Sequence, residues 1–150
     1  MPFIQEKDKL PLKDRLRKDL KSEVKLRLFT QRTFGLTIPG RECLHCEDTQ
    51  KLMEELTALS LKLKLEIVDF YSQAQAVKEA GVERIPALVM SANGSTNVKF
   101  YGIPLGLEFA ALLETIVTLS RGVSPLALET RKKLKQLKSA VHIQVFVTPT

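Results

Sequence analysis

Cys43 and Cys46 are the only cysteines in 150 residues, and they stand directly before a helix-patterned run. From Cys43 to about Ser60, Cys46, Leu52, Met53, Leu56 and Leu59 fall at helical intervals. The spacing predicts both sulfurs on one face of a first helical turn, with Cys43 nearer the exposed end. Just upstream, Val24, Leu26 and Leu28 alternate with Lys25 and Arg27, which predicts a half-buried strand over Val24–Thr30. A dithiol at a helix start points to thiol–disulfide exchange. A bare C-x-x-C is also half of many zinc sites, so the rest of the chain has to decide.

Pro11 to Ser22 carries Leu12, Leu16 and Leu20 at four-residue spacing and suits a helix with Pro11 at its start. Gln31 to Glu42 holds Gly35, Pro39 and Gly40 without periodicity and is a loop, longer than the usual ~4–6 residues. Leu63, Leu65 and Ile67 alternate with Lys64 and Glu66, a second strand ending at Asp69. Ser72 to Ala80 reads as a short helix stopped by Gly81. Strands over Ala87–Met90 and Val98–Tyr101 follow, joined through Asn93-Gly94, a strong hairpin signal. Leu107 to Ser120 is amphipathic, with Phe109, Leu112, Leu113, Ile116 and Leu119 inward. The order β-α-β, short helix, β-β-α gives parallel and then antiparallel pairing. The expectation is an α/β fold of three layers, α/β/α, around a mixed parallel/antiparallel sheet.

The attacking species in disulfide exchange is a thiolate, and a free thiol with pKa ~8.5 is mostly protonated at neutral pH. Partial positive charge at a helix N-terminus favours a Cys43 thiolate, and a protonated His45 adds a cation between the two sulfurs. Glu42 and Glu47 act in the opposite sense. The expected roles are Cys43 as nucleophile and Cys46 as the more buried resolving thiol. Structural zinc takes four Cys or His ligands, and beyond the two cysteines the chain offers only His45 and the distant His142. One chain is therefore poorly equipped for zinc, although two chains could share a metal. His142 reads as a sheet residue.

The net charge of +6 is concentrated in Arg131-Lys132-Lys133, Lys135 and Lys138, interleaved with Leu134 and Leu137 at helical spacing. That is a solvated helix face. With no Trp and no Gly-rich loop, no nucleic-acid partner is expected. No stretch approaches the ~20 apolar residues of a membrane span, and Met1 to Leu10 lacks the apolar core of a signal peptide. The expectation is a cytoplasmic protein without a membrane partner.

Leu20-Lys21-Ser22-Glu23-Val24-Lys25-Leu26-Arg27-Leu28-Phe29 recurs at a constant offset as Leu137-Lys138-Ser139-Ala140-Val141-His142-Ile143-Gln144-Val145-Phe146. In both copies a basic helix runs through Leu-Lys-Ser into an alternating strand that ends on Phe. Residues 1–121 therefore read as one complete unit. Residues 122–150 read as the helix and first strand, Val141–Val147, of an incomplete second one.

The C-x-x-C, the segment Gly81-Val82-Glu83-Arg84-Ile85-Pro86-Ala87-Leu88, Asn93-Gly94 and Phe100-Tyr101-Gly102 together resemble the thioredoxin/glutaredoxin superfamily. Within it, Val68-Asp69-Phe70, Arg84-Ile85-Pro86-Ala87, Phe100-Tyr101-Gly102-Ile103-Pro104, Glu108-Phe109 and Val145-Phe146-Val147-Thr148-Pro149-Thr150 are similar to the protein disulfide oxidoreductases of thermophilic archaea and bacteria. Those proteins hold two thioredoxin-like units in tandem, each with a C-x-x-C, which agrees with the repeat. The resemblance implies a thioredoxin-like fold and a cis peptide at Ile85-Pro86 beside the dithiol. A proline there keeps the local backbone out of ordinary sheet pairing, so a substrate strand can align along Ile85 while its sulfur meets Cys43; a plain strand-starting proline fits the sequence equally.

The resemblance further implies exchange with protein disulfide or dithiol substrates, a thioredoxin-reductase-like reductant, and no cofactor or metal beyond the redox-active cysteine pair. The chain departs from the pattern in four places: the long 31–42 loop, Glu42 where a tryptophan precedes the motif, no acidic residue within Val24–Thr30, and no second C-x-x-C. Two rivals follow, a non-catalytic thioredoxin-like docking module and an electron-shuttle domain of a flavoprotein reductase system.

Overall fold

The alternation over Val24–Thr30 becomes an inner strand of a four-stranded sheet. The structure, a computed structural model, describes residues 2–31, 39–94 and 98–147. Along the chain run α1 (Glu6–Asp19), β1 (Val24–Thr30), α2 (Cys46–Thr57), β2 (Leu63–Asp69), α3 (Ala74–Ala80), β3 (Ala87–Ser91), β4 (Val98–Tyr101), α4 (Leu107–Arg121) and α5 (Leu128–Leu134). The spatial order is β2-β1-β3-β4. β1 and β2 are parallel, whereas β1–β3 and β3–β4 are antiparallel, the mixed sheet expected.

Strand alternation sorts the side chains into two layers. Val24, Leu26 and Leu28 enter the larger core with Leu16, Leu20, Leu52, Met53, Leu56, Leu112, Leu113, Ile116 and Val117, so α1, α2 and α4 cover this face. Full burial of such a side chain contributes about 1.5–3 kcal/mol. Phe29 points the other way, into a smaller cluster with Val68, Ala80, Val82, Ala87 and Val89 that α3 helps to cover. On this second face Lys25 and Arg27 both reach Glu66, at 2.6 and 3.3 Å.

Several element ends differ from expectation. α1 starts at Glu6 and contains Pro11 internally, because Glu6 and Asp8 populate its first turn and the Glu55 carboxylate accepts the N–H groups of Phe3 and Ile4 just before it. α2 starts at Cys46, so Cys43 lies in the preceding turn and not on the helix. The first backbone bond of α2 runs from Thr49 N–H to the His45 carbonyl, and His45 keeps non-helical dihedrals. α3 ends where Gly81 takes a left-handed conformation at φ +58°, as the glycine stop predicts. Asn93 and Gly94 both have positive φ, as a tight hairpin turn requires; residues 95–97, and residues 32–38 of the predicted 31–42 loop, lie outside the described residues.

The strand expected at Val141–Val147 does not form: the segment carries no regular structure and is exposed. A strand persists only on a ladder partner, and unlike β1, which is hydrogen-bonded on both sides, this segment has none among the described residues. α5 forms but buries no residue.

Candidate active site

β1 and β2 finish at one end of the sheet, where β3 begins and β4 finishes, since Thr30 pairs with Asp69, Phe29 with Ala87, and Ala87 with Tyr101. The N-terminus of α2 lies over the same end: the Thr30 hydroxyl donates to the Cys46 carbonyl at 3.5 Å. Thr49, one turn on, is also buried and donates both its N–H and its hydroxyl to the His45 carbonyl, at 3.0 and 2.6 Å. Two buried threonines thus fix the turn that carries the dithiol. Sequence reasoning misses both; Thr30's place at the end of an alternating strand is the one available signal.

Cys43 and Cys46 form a disulfide, with 5.5 Å between their Cα atoms. Cys46 is only 3% exposed, whereas Cys43 is half-buried at the surface. His45 is exposed at the N-cap of α2, without a side-chain capping bond. Leu44, between the motif's ends, is 85% exposed. The Ile85-Pro86 peptide is cis, as the resemblance implied. Pro86 is buried, immediately before β3, and its carbonyl accepts the Gly102 N–H at 2.9 Å; Ile85 is half-exposed. Cys43, His45, Cys46, Ile85 and Pro86 therefore gather at one end of the sheet.

The electrostatics around the pair are set by exposed groups. The buried polar side chains among the described residues are Thr30, Thr49 and Ser120, all hydroxyls, so no buried carboxyl stands beside Cys46. The Lys51 ammonium hydrogen-bonds Glu47 at 2.6 Å and holds its carboxyl below the usual carboxylate range, which makes Glu47 a poor proton acceptor. Among the described residues no three His, Cys, Asp or Glu side chains converge as metal ligands.

Two ring contacts at this end were invisible to sequence spacing. The Arg41 guanidinium lies 4.5 Å from the Tyr71 ring centroid, and that of Arg84 lies 4.9 Å from Tyr101.

No protein-family model and no curated protein matches the chain. Among solved structures, a protein disulfide oxidoreductase from Aeropyrum pernix is 30% identical with a TM-score of 0.73, over 90% of this chain and 56% of its own. The alkylhydroperoxide reductase protein AhpF from Enterococcus faecalis is 20% identical with a TM-score of 0.73, over 90% of this chain and 61% of its own. A thioredoxin from Halobacterium salinarum is 21% identical with a TM-score of 0.51, over 69% of this chain and 80% of its own. The chain thus spans less than two thirds of the first two. What the chain shares with this group over the matched lengths is its fold, a mixed four-stranded sheet with helices on both faces. The chain has the thioredoxin-like fold, and over 90% of its length it is similar to a protein disulfide oxidoreductase.

Proposed function

We propose that this chain is a thiol–disulfide oxidoreductase unit that exchanges disulfides through Cys43 and Cys46. The observation that carries it is the unequal burial of the two sulfur-bearing residues, Cys43 at the surface and Cys46 at 3% exposure. In the reduced protein the Cys43 thiolate attacks a substrate disulfide, forms a mixed disulfide and releases one substrate thiolate. The Cys46 thiolate then attacks Cys43 and releases the second, so two electrons pass to the substrate and the enzyme disulfide forms. The unpaired N–H groups that begin α2 favour the anionic sulfur, and His45 when protonated adds to them. Ile85, before the buried Pro86, offers main chain along which a substrate strand aligns. With no buried carboxyl at hand, protons leave Cys46 through water or an exposed group.

The pair itself is the redox centre, so the reaction needs no further cofactor or metal. Its substrates are protein disulfides or dithiols and its reductant is a thioredoxin-reductase-like protein. Its work is in the cytoplasm, with no nucleic-acid or membrane partner; no helix among the described residues is long and apolar enough to cross a membrane. Residues 1–121 are the working unit, and residues 122–150 are the opening of a second.

Dithiothreitol-driven reduction of insulin tests this reading. Turnover well above the uncatalysed rate is expected, lost in Cys43→Ser; undiminished turnover in that variant would refute it. The docking-module rival draws on the unpaired, exposed Val141–Val147 segment. A Cys43 thiol with the free pKa of ~8.5 and no exchange with any substrate would favour it.

A further inference from the structure

Arg41 and Arg84 flank the dithiol from opposite sides. Tyr71 follows the end of β2, and Tyr101 ends β4; these strands are the two edges of the sheet. Across the end of the sheet the order is therefore Arg41 on Tyr71, then the dithiol over β1, then Ile85-Pro86 before β3, then Arg84 on Tyr101. Each guanidinium is held by its ring. Tyr71 is itself fixed edge-on against Phe70 at 5.3 Å, and the Phe70 N–H bonds the Thr30 carbonyl. A ring-stacked guanidinium keeps its edge N–H donors free for a carboxylate, and less side-chain freedom is lost when one arrives.

Arg15, Arg17, Arg27 and Arg121 each hold a carboxylate partner. Among the described residues Arg41 and Arg84 hold none, although both are exposed; their sequence neighbours Glu42 and Glu83 are exposed and do not pair with them. Two oriented, unneutralised cations on either side of a redox pair, with Leu44 exposed between them, form a surface complementary to an acidic chain.

We propose that Arg41 and Arg84 are specificity-determining residues that select polypeptide disulfides with Asp or Glu near the reactive cysteine. This rests on the oxidoreductase reading above. Three strand spacings of about 4.8 Å separate the sheet edges, about 14 Å, which an extended substrate spans in about four residues. With the dithiol over β1, one spacing from β2 and two from β4, the preferred acids therefore lie about one residue from the substrate cysteine toward Arg41 and about three toward Arg84. The exchange is the one described, with the Cys43–Cys46 dithiol oxidised and the peptide disulfide reduced by two electrons.

The test uses the full chain, pre-reduced, in single turnover against two symmetric peptide disulfides. They are identical except for Asp or Asn at the first and third residues on each side of the cysteine. The second-order rate constant is expected to be about tenfold higher for the Asp peptide at low salt, the scale of two exposed charge pairs, and to approach equality in about 0.5 M salt. In Arg41→Gln/Arg84→Gln the ratio should fall to near one, while Arg41→Lys/Arg84→Lys should keep much of it. A partly unfolded variant would expose thiols that react with both peptides alike, so circular dichroism and the thermal midpoint of each variant are matched to the unaltered protein before its ratio is read. Equal rates in the unaltered protein, or a preference that survives the double Gln change, would overturn this proposal alone. Reaction with neither peptide would overturn the oxidoreductase reading together with it.

Discussion

Glu66 is the residue whose charge is most directly tied to the sheet. The Lys25 hydrogen bond, aided by the charge of Arg27, holds its carboxyl below the ordinary value of 4.5 despite partial burial. A carboxyl lowered in the folded state stabilises the fold above its ordinary pKa, and that contribution is lost as falling pH protonates it. Glu66→Gln should therefore destabilise the protein near pH 7, by no more than about 1 kcal/mol because the group is partly exposed and screened. The difference should shrink as pH falls below 4.5 and vanish once both proteins carry an uncharged side chain there; urea unfolding at pH 7 and pH 3 measures it. At the site, the cysteine pair was legible because it is unique in the chain and correctly spaced. Arg41 and Tyr71 were not, since thirty residues of chain separate two side chains that only the fold brings together.

Strands were easier to place than helix starts. The alternation in β1 and β2 gave their bounds directly, because a one-residue slip would turn charged side chains into the core. Pro11 fits a first helical turn and so points to a start later than Glu6, whereas the group that receives the chain just before α1 is Glu55, on another helix. The junction of α1 and β1 is also held from afar. The buried Ser120 hydroxyl of α4 accepts the N–H groups of Lys21 and Ser22, each at 2.9 Å, and donates to the Ser22 carbonyl at 2.6 Å. Ser120→Ala leaves these groups without that partner and should cost about 2 kcal/mol in chemical denaturation. At α3, Gly81→Ala places a side chain at φ +58° and should cost about 1–2 kcal/mol, chiefly in backbone conformation; the added carbon also meets the Lys99 ammonium, which donates to the Gly81 carbonyl at 2.7 Å and would have to shift.

For the whole molecule, the two copies of the repeat behave in opposite ways. Val24, Leu26, Leu28 and Phe29 are 0% exposed, whereas Val141, Ile143, Val145 and Phe146 are 60, 78, 79 and 89% exposed. The residues are nearly the same; what differs is the presence of strands on both sides and helices above. This is why a strand was expected where none forms: the pattern specifies the strand, but its ladder partners are supplied elsewhere in a sheet. Removal of residues 122–150 should accordingly leave the melting temperature within a few degrees and reduce binding of an apolar dye. A fall of ten degrees or more would show that the first unit leans on this segment.

The same unit stands or falls by the division of labour between its two sulfurs, and trapping resolves it. Each single-cysteine variant, reduced and mixed with insulin, is analysed by intact-mass spectrometry and peptide mapping. Cys46→Ser should accumulate a mixed disulfide through Cys43, because no second thiol releases the substrate. Cys43→Ser should give little or none, with Cys46 buried at the start of α2. Adducts formed equally well through Cys46, or through neither residue, would contradict the assignment of Cys43 as the attacking thiol.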